Sequence, residues 1–136
     1  MVKTMKTYEA INLCKSLESL IQDKSRRLPG KAALAISRSY KRTKEILDEY
    51  DNFQRDKIIS MLEEEKAEKI NDEKGERVQV KDEFMDELIE YLNDIAFEDT
   101  DVEIQTMSES VFEKVLDSYE LSFVEIEALE MLVREE

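Results

Sequence analysis

The chain has 136 residues, enough for one domain with a single modest core, and its one cysteine excludes an internal disulfide. It contains no histidine, which excludes the commonest general base, histidine-activated nucleophiles and ordinary zinc sites. Charged residues make up 40% of the chain and give a net charge of −14, while two glycines and one proline leave few loop signals. We therefore expect an acidic, helix-rich protein that is not an enzyme, needs no cofactor and acts by binding a partner.

Membrane insertion and export are not expected from the sequence. No apolar stretch approaches the roughly 20 residues that a membrane-spanning helix needs. Residues 1–6 lack the apolar segment of a signal peptide. The sequence therefore predicts a cytoplasmic protein with no membrane partner.

A first helix is predicted over residues 7–25, because apolar side chains recur there at spacings of three and four residues. Cys14 lies on this apolar face, so we interpret it as a small buried side chain. Pro29 and Gly30 then interrupt the helical pattern. A second helix is predicted over residues 31–68, and it is too long for a compact globule of this size unless it bends near Asp51 and Asn52 or packs on something else.

The distal part of this second helix carries apolar residues that the shorter first helix cannot cover. An uncovered apolar stripe is typical of an interface, so we expect a homodimer or another constitutive partner to pack on it. The residues of this predicted interface are Tyr50, Phe53, Ile58, Met61 and Leu62.

Beyond residue 70 the pattern changes to short elements. A turn is predicted over 71–76, strands over 77–81 and 102–106, and a helix over 82–96. Capping-box patterns at Ser110 and Ser122 predict two C-terminal helices. The predicted class is α+β, mostly helical: an N-terminal helical hairpin with one long helix, a small two-stranded sheet and C-terminal helices. We expect a single domain over 1–136, with the hairpin in 1–69 and an acidic α+β part in 70–136.

Charge is distributed unevenly along the chain. Residues 1–60 contain 13 basic and 8 acidic side chains, a net of +5, whereas residues 61–136 contain 7 and 26, a net of −19. Such asymmetry indicates interaction surfaces rather than a fold. The sequence contains no phosphate loop, dinucleotide fingerprint or cluster of metal ligands that would assign it a chemistry.

Each charged half provides a candidate surface. The acidic half could imitate a nucleic-acid backbone and occupy a basic groove in another protein, or could serve solubility alone. Its candidate residues are Glu83, Asp86, Glu87, Glu90 and Asp94.

The segment 24–44 has eight bases and no acid, which is typical of a footprint for phosphates or acidic proteins. Its candidate residues are Arg26, Arg27, Lys31, Arg38, Lys41 and Arg42. For these residues, the predicted basic stripe, we favour pairing with the chain's own acidic half or simple solvation of a helix face. Nearby carboxylates would repel a nucleic acid.

Several segments together resemble a family of small phage and prophage proteins of Gram-positive bacteria whose function is unknown. Residues 28–36 resemble a leucine-proline-x-lysine-x-alanine junction that follows a short helix, and residues 84–94, 101–104 and 121–130 resemble the rest of that family. The resemblance covers most of the chain and implies a phage origin, with the bacterial cytoplasm as location. It implies no site residues.

Three functions follow as hypotheses. The first is an inhibitor of a host or anti-phage defence protein, which would bind through a charged surface. The second is a chaperone of virion tail assembly. The third is an accessory protein that binds nucleic acid through segment 24–44. The expected partner is accordingly a host or phage protein, and nucleic acid ranks below it.

Overall fold

The computed structural model describes residues 1–23 and 27–134. The strands are β1 (Val2–Lys6), β2 (Ala67–Asp72), β3 (Gly75–Val80) and β4 (Asp99–Glu103). The helices are α1 (Thr7–Gln22), α2 (Gly30–Glu63), α3 (Met85–Ala96), α4 (Glu109–Ser118) and α5 (Phe123–Glu130), and a 3-10 turn at Asp82–Phe84 precedes α3. These elements confirm the mostly helical α+β class, with one long helix.

The chain forms two compact units. The first comprises Met1–Leu47 and Asp99–Glu136, and the second comprises Asp48–Glu98. Helix α2 therefore contributes residues to both units, and it is helical without a break through Asp51 and Asn52. This division differs from the expected boundary at residue 69, because β4 returns to pair with β1 and brings the C-terminal elements into the N-terminal unit.

In the first unit, β1 and β4 form an antiparallel pair in which Lys6 lies opposite Asp99 and Thr4 opposite Asp101. Both pairs are joined by side chains: Lys6 Nζ lies 2.8 Å from Asp99 Oδ1, and Thr4 Oγ1 donates to Asp101 Oδ1 at 2.6 Å. The core contains residues from α1, α2, α4 and α5. Its largest fully buried members are Leu17, Ile36, Val102, Ile104, Met107, Val115, Leu129 and Leu132. Cys14 is fully buried as well, as predicted.

In the second unit, β2 and β3 form a hairpin that packs with α3 and the end of α2 around Met61, Ala67, Val80 and Leu88. Gly75 has φ of +100°, a conformation that residues with a Cβ rarely adopt. Residues 1–23 and 27–134 thus form two separate two-stranded sheets, not the single sheet expected from the strands at 77–81 and 102–106.

Helix α2 ends at Glu63, five residues before the predicted end. Glu65 adopts φ of 63°, and the next amide, Lys66 N–H, donates to Met61 O at 2.8 Å. Glu65 N–H donates to Leu62 O at 3.2 Å, which completes a Schellman motif. Glycine usually occupies this left-handed position, so a glutamate there gave the sequence no stop signal.

The two predicted capping boxes have different outcomes. At Ser122 the box is confirmed, because Glu125 N–H donates to Ser122 Oγ at 3.2 Å and Ser122 N–H donates to Glu125 Oε1 at 3.0 Å. The preceding helix is instead capped by Ser108, whose Oγ accepts from Val111 N–H at 3.3 Å. The predicted cap at Ser110 is therefore wrong by two residues.

Candidate binding surfaces

Most of the net charge belongs to the second unit. Asp48–Glu98 contains 7 basic and 18 acidic residues, a net of −11, whereas the remainder of the chain contains 13 and 16, a net of −3. The acidic stretch after residue 98 belongs to the first unit, where the bases of segment 24–44 offset it. The second unit therefore carries most of the net negative charge, and the first unit is close to balanced.

Helix α3 displays this charge on one side. Asp86, Glu90 and Asp94 are exposed and recur every four residues, so their α-carbons are about 6 Å apart along the helix. Leu88 is buried on the opposite side. Exposed Glu83 precedes them in the 3-10 turn. Among the described residues these four form no ion pair, and we call them the acidic face.

Glu87 is the exception among the five predicted acidic residues. Lys66 Nζ lies 3.1 Å from its Oε1 and 3.0 Å from its Oε2, and Lys57 Nζ lies 3.5 Å from Oε1. Lys66 also lies 2.9 Å from Glu64 Oε2. Glu87 thus ties α3 to the end of α2 inside the unit, and we do not count it in the acidic face.

The pKa shifts of this cluster follow from the same contacts. The hydrogen bond from Lys66 holds the pKa of Glu87 below its ordinary value of 4.5, against the opposing effect of desolvation. Hydrogen bonds to Glu64 and then to Glu87 raise the pKa of Lys66 above its ordinary value of 10.5. Both side chains are therefore charged across the neutral range. The contacts of the cluster thus stabilise the charged form of both side chains.

The predicted basic stripe is only partly assembled. Arg26 lies outside the described residues, and Arg27 and Lys31 are exposed at and after the loop that precedes α2. Arg38, Lys41 and Arg42 lie on successive turns of α2 and line one side of a groove of about 610 Å³. Gln105 and Thr106, from the segment after β4, line the other side. We call these five residues the basic groove.

A buried serine fixes the walls of the basic groove relative to each other. Ser39 Oγ accepts from Gln105 N–H at 3.0 Å and donates to Gln105 O at 3.2 Å. Thr43 Oγ1 in turn donates to Ser39 O at 3.0 Å. Both hydroxyl side chains are fully buried. Sequence reasoning missed Ser39, although Ser39 and Thr43 follow Ile36 at helical spacing on the apolar side of α2, which was a usable signal.

Arg38 and Arg42 each make one side-chain contact beside the groove. Arg38 Nη1 donates to Gln105 Oε1 at 3.3 Å, and Arg42 Nη1 lies 4.0 Å from Glu45 Oε1. Gln105 and Thr106 come from the chain that follows β4, so their approach to α2 depends on the β1–β4 pairing. No local pattern in the sequence could have placed them beside Arg38.

The predicted apolar interface is largely internal. Met61 has 0% of its surface exposed and belongs to the core of the second unit, with Ile58 and Leu62 packed against the same cluster. The β2–β3 hairpin and α3 cover these side chains. The predicted interface rested on the argument that the first helix is too short to cover them. Tyr50 is half-buried, and Phe53 is 38% exposed. Met61 is therefore corrected from an interface residue to a core residue.

The described residues contain neither a metal-binding cluster nor a membrane-spanning helix. Residues 1–23 and 27–134 contain no group of three or more histidine, cysteine or acidic side chains placed to hold a metal ion. Within the same ranges, no helix combines the length and the apolar character that crossing a membrane requires.

No protein-family model, no curated protein and no solved structure matches this chain. Function must therefore be inferred from the chain's own residues and geometry.

Proposed function

We propose that this protein is a non-enzymatic, phage-encoded inhibitor that binds a basic surface of a host or anti-phage defence protein through its acidic face. The observation that carries the proposal is the concentration of charge: a net of −11 within Asp48–Glu98, with Asp86, Glu90 and Asp94 exposed at regular spacing on α3. The phage origin derives from the resemblance of residues 28–36, 84–94, 101–104 and 121–130 to small phage proteins.

The acidic face is anchored in a way that favours binding. The Lys57–Glu87–Lys66 cluster and buried Leu88 fix α3 in its unit, so the helix that carries the outward carboxylates is in place before a partner arrives. Preorganised charge loses less conformational entropy on association than charge on a mobile segment. A surface of this kind suits a groove lined with lysine and arginine, such as the nucleic-acid site of a DNA- or RNA-binding protein.

Inhibition would follow from occupancy. A protein that normally binds phosphates through a basic groove cannot do so while carboxylates fill it, so catalysis by the inhibitor itself is not required. Many ion pairs would form together, and the complex should therefore weaken steeply as salt rises.

Affinity capture from cells of the bacterial host tests the proposal. The wild-type protein is compared with Asp86→Lys/Glu90→Lys/Asp94→Lys, and with Glu109→Lys/Glu113→Lys/Asp117→Lys as the matched control. The control residues are also exposed, also acidic and also four residues apart, but lie on α4 in the other unit. Circular dichroism confirms that each variant keeps its helices.

The expected result is a nucleic-acid-binding protein captured by the wild type and by the α4 variant but lost with the α3 variant. Capture of a phage tail protein by all three would support the tail-chaperone hypothesis instead and contradict the proposal. Equal capture of one partner by both triple variants would also contradict it, because the acidic face would then be dispensable.

A further inference from the structure

We propose that the basic groove of the first unit binds the phosphate group of a small phosphorylated molecule, such as a nucleotide. This goes beyond the proposed inhibitor function, because it uses different residues in the other unit. The groove is concave, polar and lined by Arg38, Lys41 and Arg42, a concentration of positive charge in a chain whose net charge is −14.

The side chains that line the groove have the donors that a phosphate requires. Two guanidinium groups can each donate paired N–H bonds to phosphate oxygens, and Lys41 adds a compact charge to the same groove. On the facing wall, the Gln105 amide and the Thr106 hydroxyl supply neutral donors. The volume of about 610 Å³ lies in the range typical of small-molecule sites, about 300–1,000 Å³.

The groove is also formed before any ligand binds. Ser39 holds both backbone groups of Gln105, and Thr43 supports Ser39 from the next turn of α2. Arg38 already contacts Gln105 across the groove. The two walls therefore keep their spacing without a ligand, and little ordering is needed on binding.

Two carboxylates limit the ligand to a single phosphate-bearing molecule. Glu45 and Glu103 also line the groove, where Glu45 lies 4.0 Å from Arg42 Nη1 and Glu103 lies 3.5 Å from the Met1 amino group. Along an extended nucleic-acid strand, neighbouring phosphates would approach these carboxylates and be repelled. A small molecule with one phosphate group places its charge between the cations and avoids both acids.

The test is a ¹⁵N-HSQC titration of the full chain with adenosine monophosphate at fixed ionic strength. Adenosine is the control without phosphate. A ten-nucleotide oligothymidylate tests whether the groove binds the phosphates of a nucleic-acid strand instead. We expect saturable shifts at the amides of residues 38–42, 105 and 106 with the monophosphate, and none with adenosine. The double variant Arg38→Gln/Arg42→Gln should weaken binding about tenfold or more, because charge-assisted hydrogen bonds are lost.

The matched control is Lys31→Gln/Arg55→Gln, which removes two exposed cations from the same helix outside the groove and should leave binding unchanged. Lys41→Gln is the second test variant and should also weaken binding, so the proposal stays testable if the double variant fails to fold. Absence of saturable shifts with the monophosphate would overturn the proposal, as would equal shifts with adenosine. An oligothymidylate has several phosphates, so some gain in affinity over the monophosphate is expected from their number alone. An affinity above that gain would overturn the assignment to a small ligand.

Discussion

Lys66 Nζ contacts both carboxylate oxygens of Glu87, at 3.1 and 3.0 Å, and so joins the end of α2 to α3. This pair separates the five predicted acidic residues into two groups. Glu87 stabilises the unit, while Glu83, Asp86, Glu90 and Asp94 face solvent. The consequences can be measured separately.

The Lys66–Glu87 pair should give stability a defined pH dependence. Because folding lowers the pKa of Glu87, its contribution is present above the unfolded pKa near 4.5 and is lost as pH falls through the lower folded value. Because folding raises the pKa of Lys66, its contribution is present below 10.5 and is lost as pH rises through the higher folded value. Urea unfolding of the wild type and Glu87→Gln should show a constant stability difference from about pH 5 to pH 10.

Outside that window the difference should shrink on both sides. Glu90→Gln, on the same helix and without an ion pair among the described residues, is the control and should show no comparable window. A wild-type advantage over Glu87→Gln that is as large at pH 3 as at pH 7 would mean that the pair does not titrate as its contacts imply.

The left-handed conformation of Glu65 should make glycine stabilising at that position. A non-glycine residue in this conformation costs about 1–2 kcal/mol, which glycine avoids. The greater freedom of glycine in the unfolded chain reduces this gain in stability by about 0.5–1 kcal/mol. Glu65→Gly should therefore raise the free energy of unfolding by about 0.5–1 kcal/mol. Glu65→Val should lower it, because a β-branched residue tolerates positive φ poorly. Denaturant unfolding measures both, and a stabilising valine would show that Glu65 is not left-handed in solution.

Ser39→Ala should destabilise the first unit by about 1–3 kcal/mol, because it removes the partner of both Gln105 backbone groups. Ser37→Ala is the matched control: Ser37 lies on the same helix but is exposed, so its change should be close to neutral. Chemical unfolding measures the difference. Equal effects of the two substitutions would show that the contact with Gln105 contributes little.

Met61→Ala should destabilise the protein by about 2–5 kcal/mol, since it leaves a cavity in the core of the second unit. Phe53→Ala should cost less, because Phe53 is partly exposed. The loss should be the same at low and high protein concentration. A loss that grows on dilution would instead place Met61 at an interface between copies, as the sequence first indicated.

The sequence predicts long periodic elements well and long-range pairing poorly. The apolar spacing of α1, the break at Pro29 and the cap at Ser122 are local signals. In the structure α1 spans Thr7–Gln22, α2 begins directly after Pro29 and α5 begins directly after Ser122. β2 was missed because most of its residues were assigned to the end of the long helix and to the following turn, and β1 because it is defined mainly by its partner β4, nearly one hundred residues away. The early end of α2 was missed because Glu65 occupies a position where glycine is the usual signal.

The candidate surfaces divide in the same way. Asp86, Glu90 and Asp94 lie on one exposed side of α3, and Arg38 and Arg42 line one groove, as their spacing along each helix allows. The pairing of Glu87 with Lys66 and the covering of Met61 both depend on the β2–β3 hairpin and α3 folding back on α2. The approach of Gln105 to α2 depends on β4. These contacts join distant segments, so helical periodicity could not reveal them.

The most direct test of the inhibitor function is a competition assay with the captured partner and its own nucleic acid. The wild type and Glu109→Lys/Glu113→Lys/Asp117→Lys should displace the nucleic acid, and raising salt should weaken the displacement. Asp86→Lys/Glu90→Lys/Asp94→Lys should need about tenfold more protein or fail to displace it. Displacement by the α3 variant that equals the wild type and resists salt would contradict the account, because binding would then not depend on the acidic face.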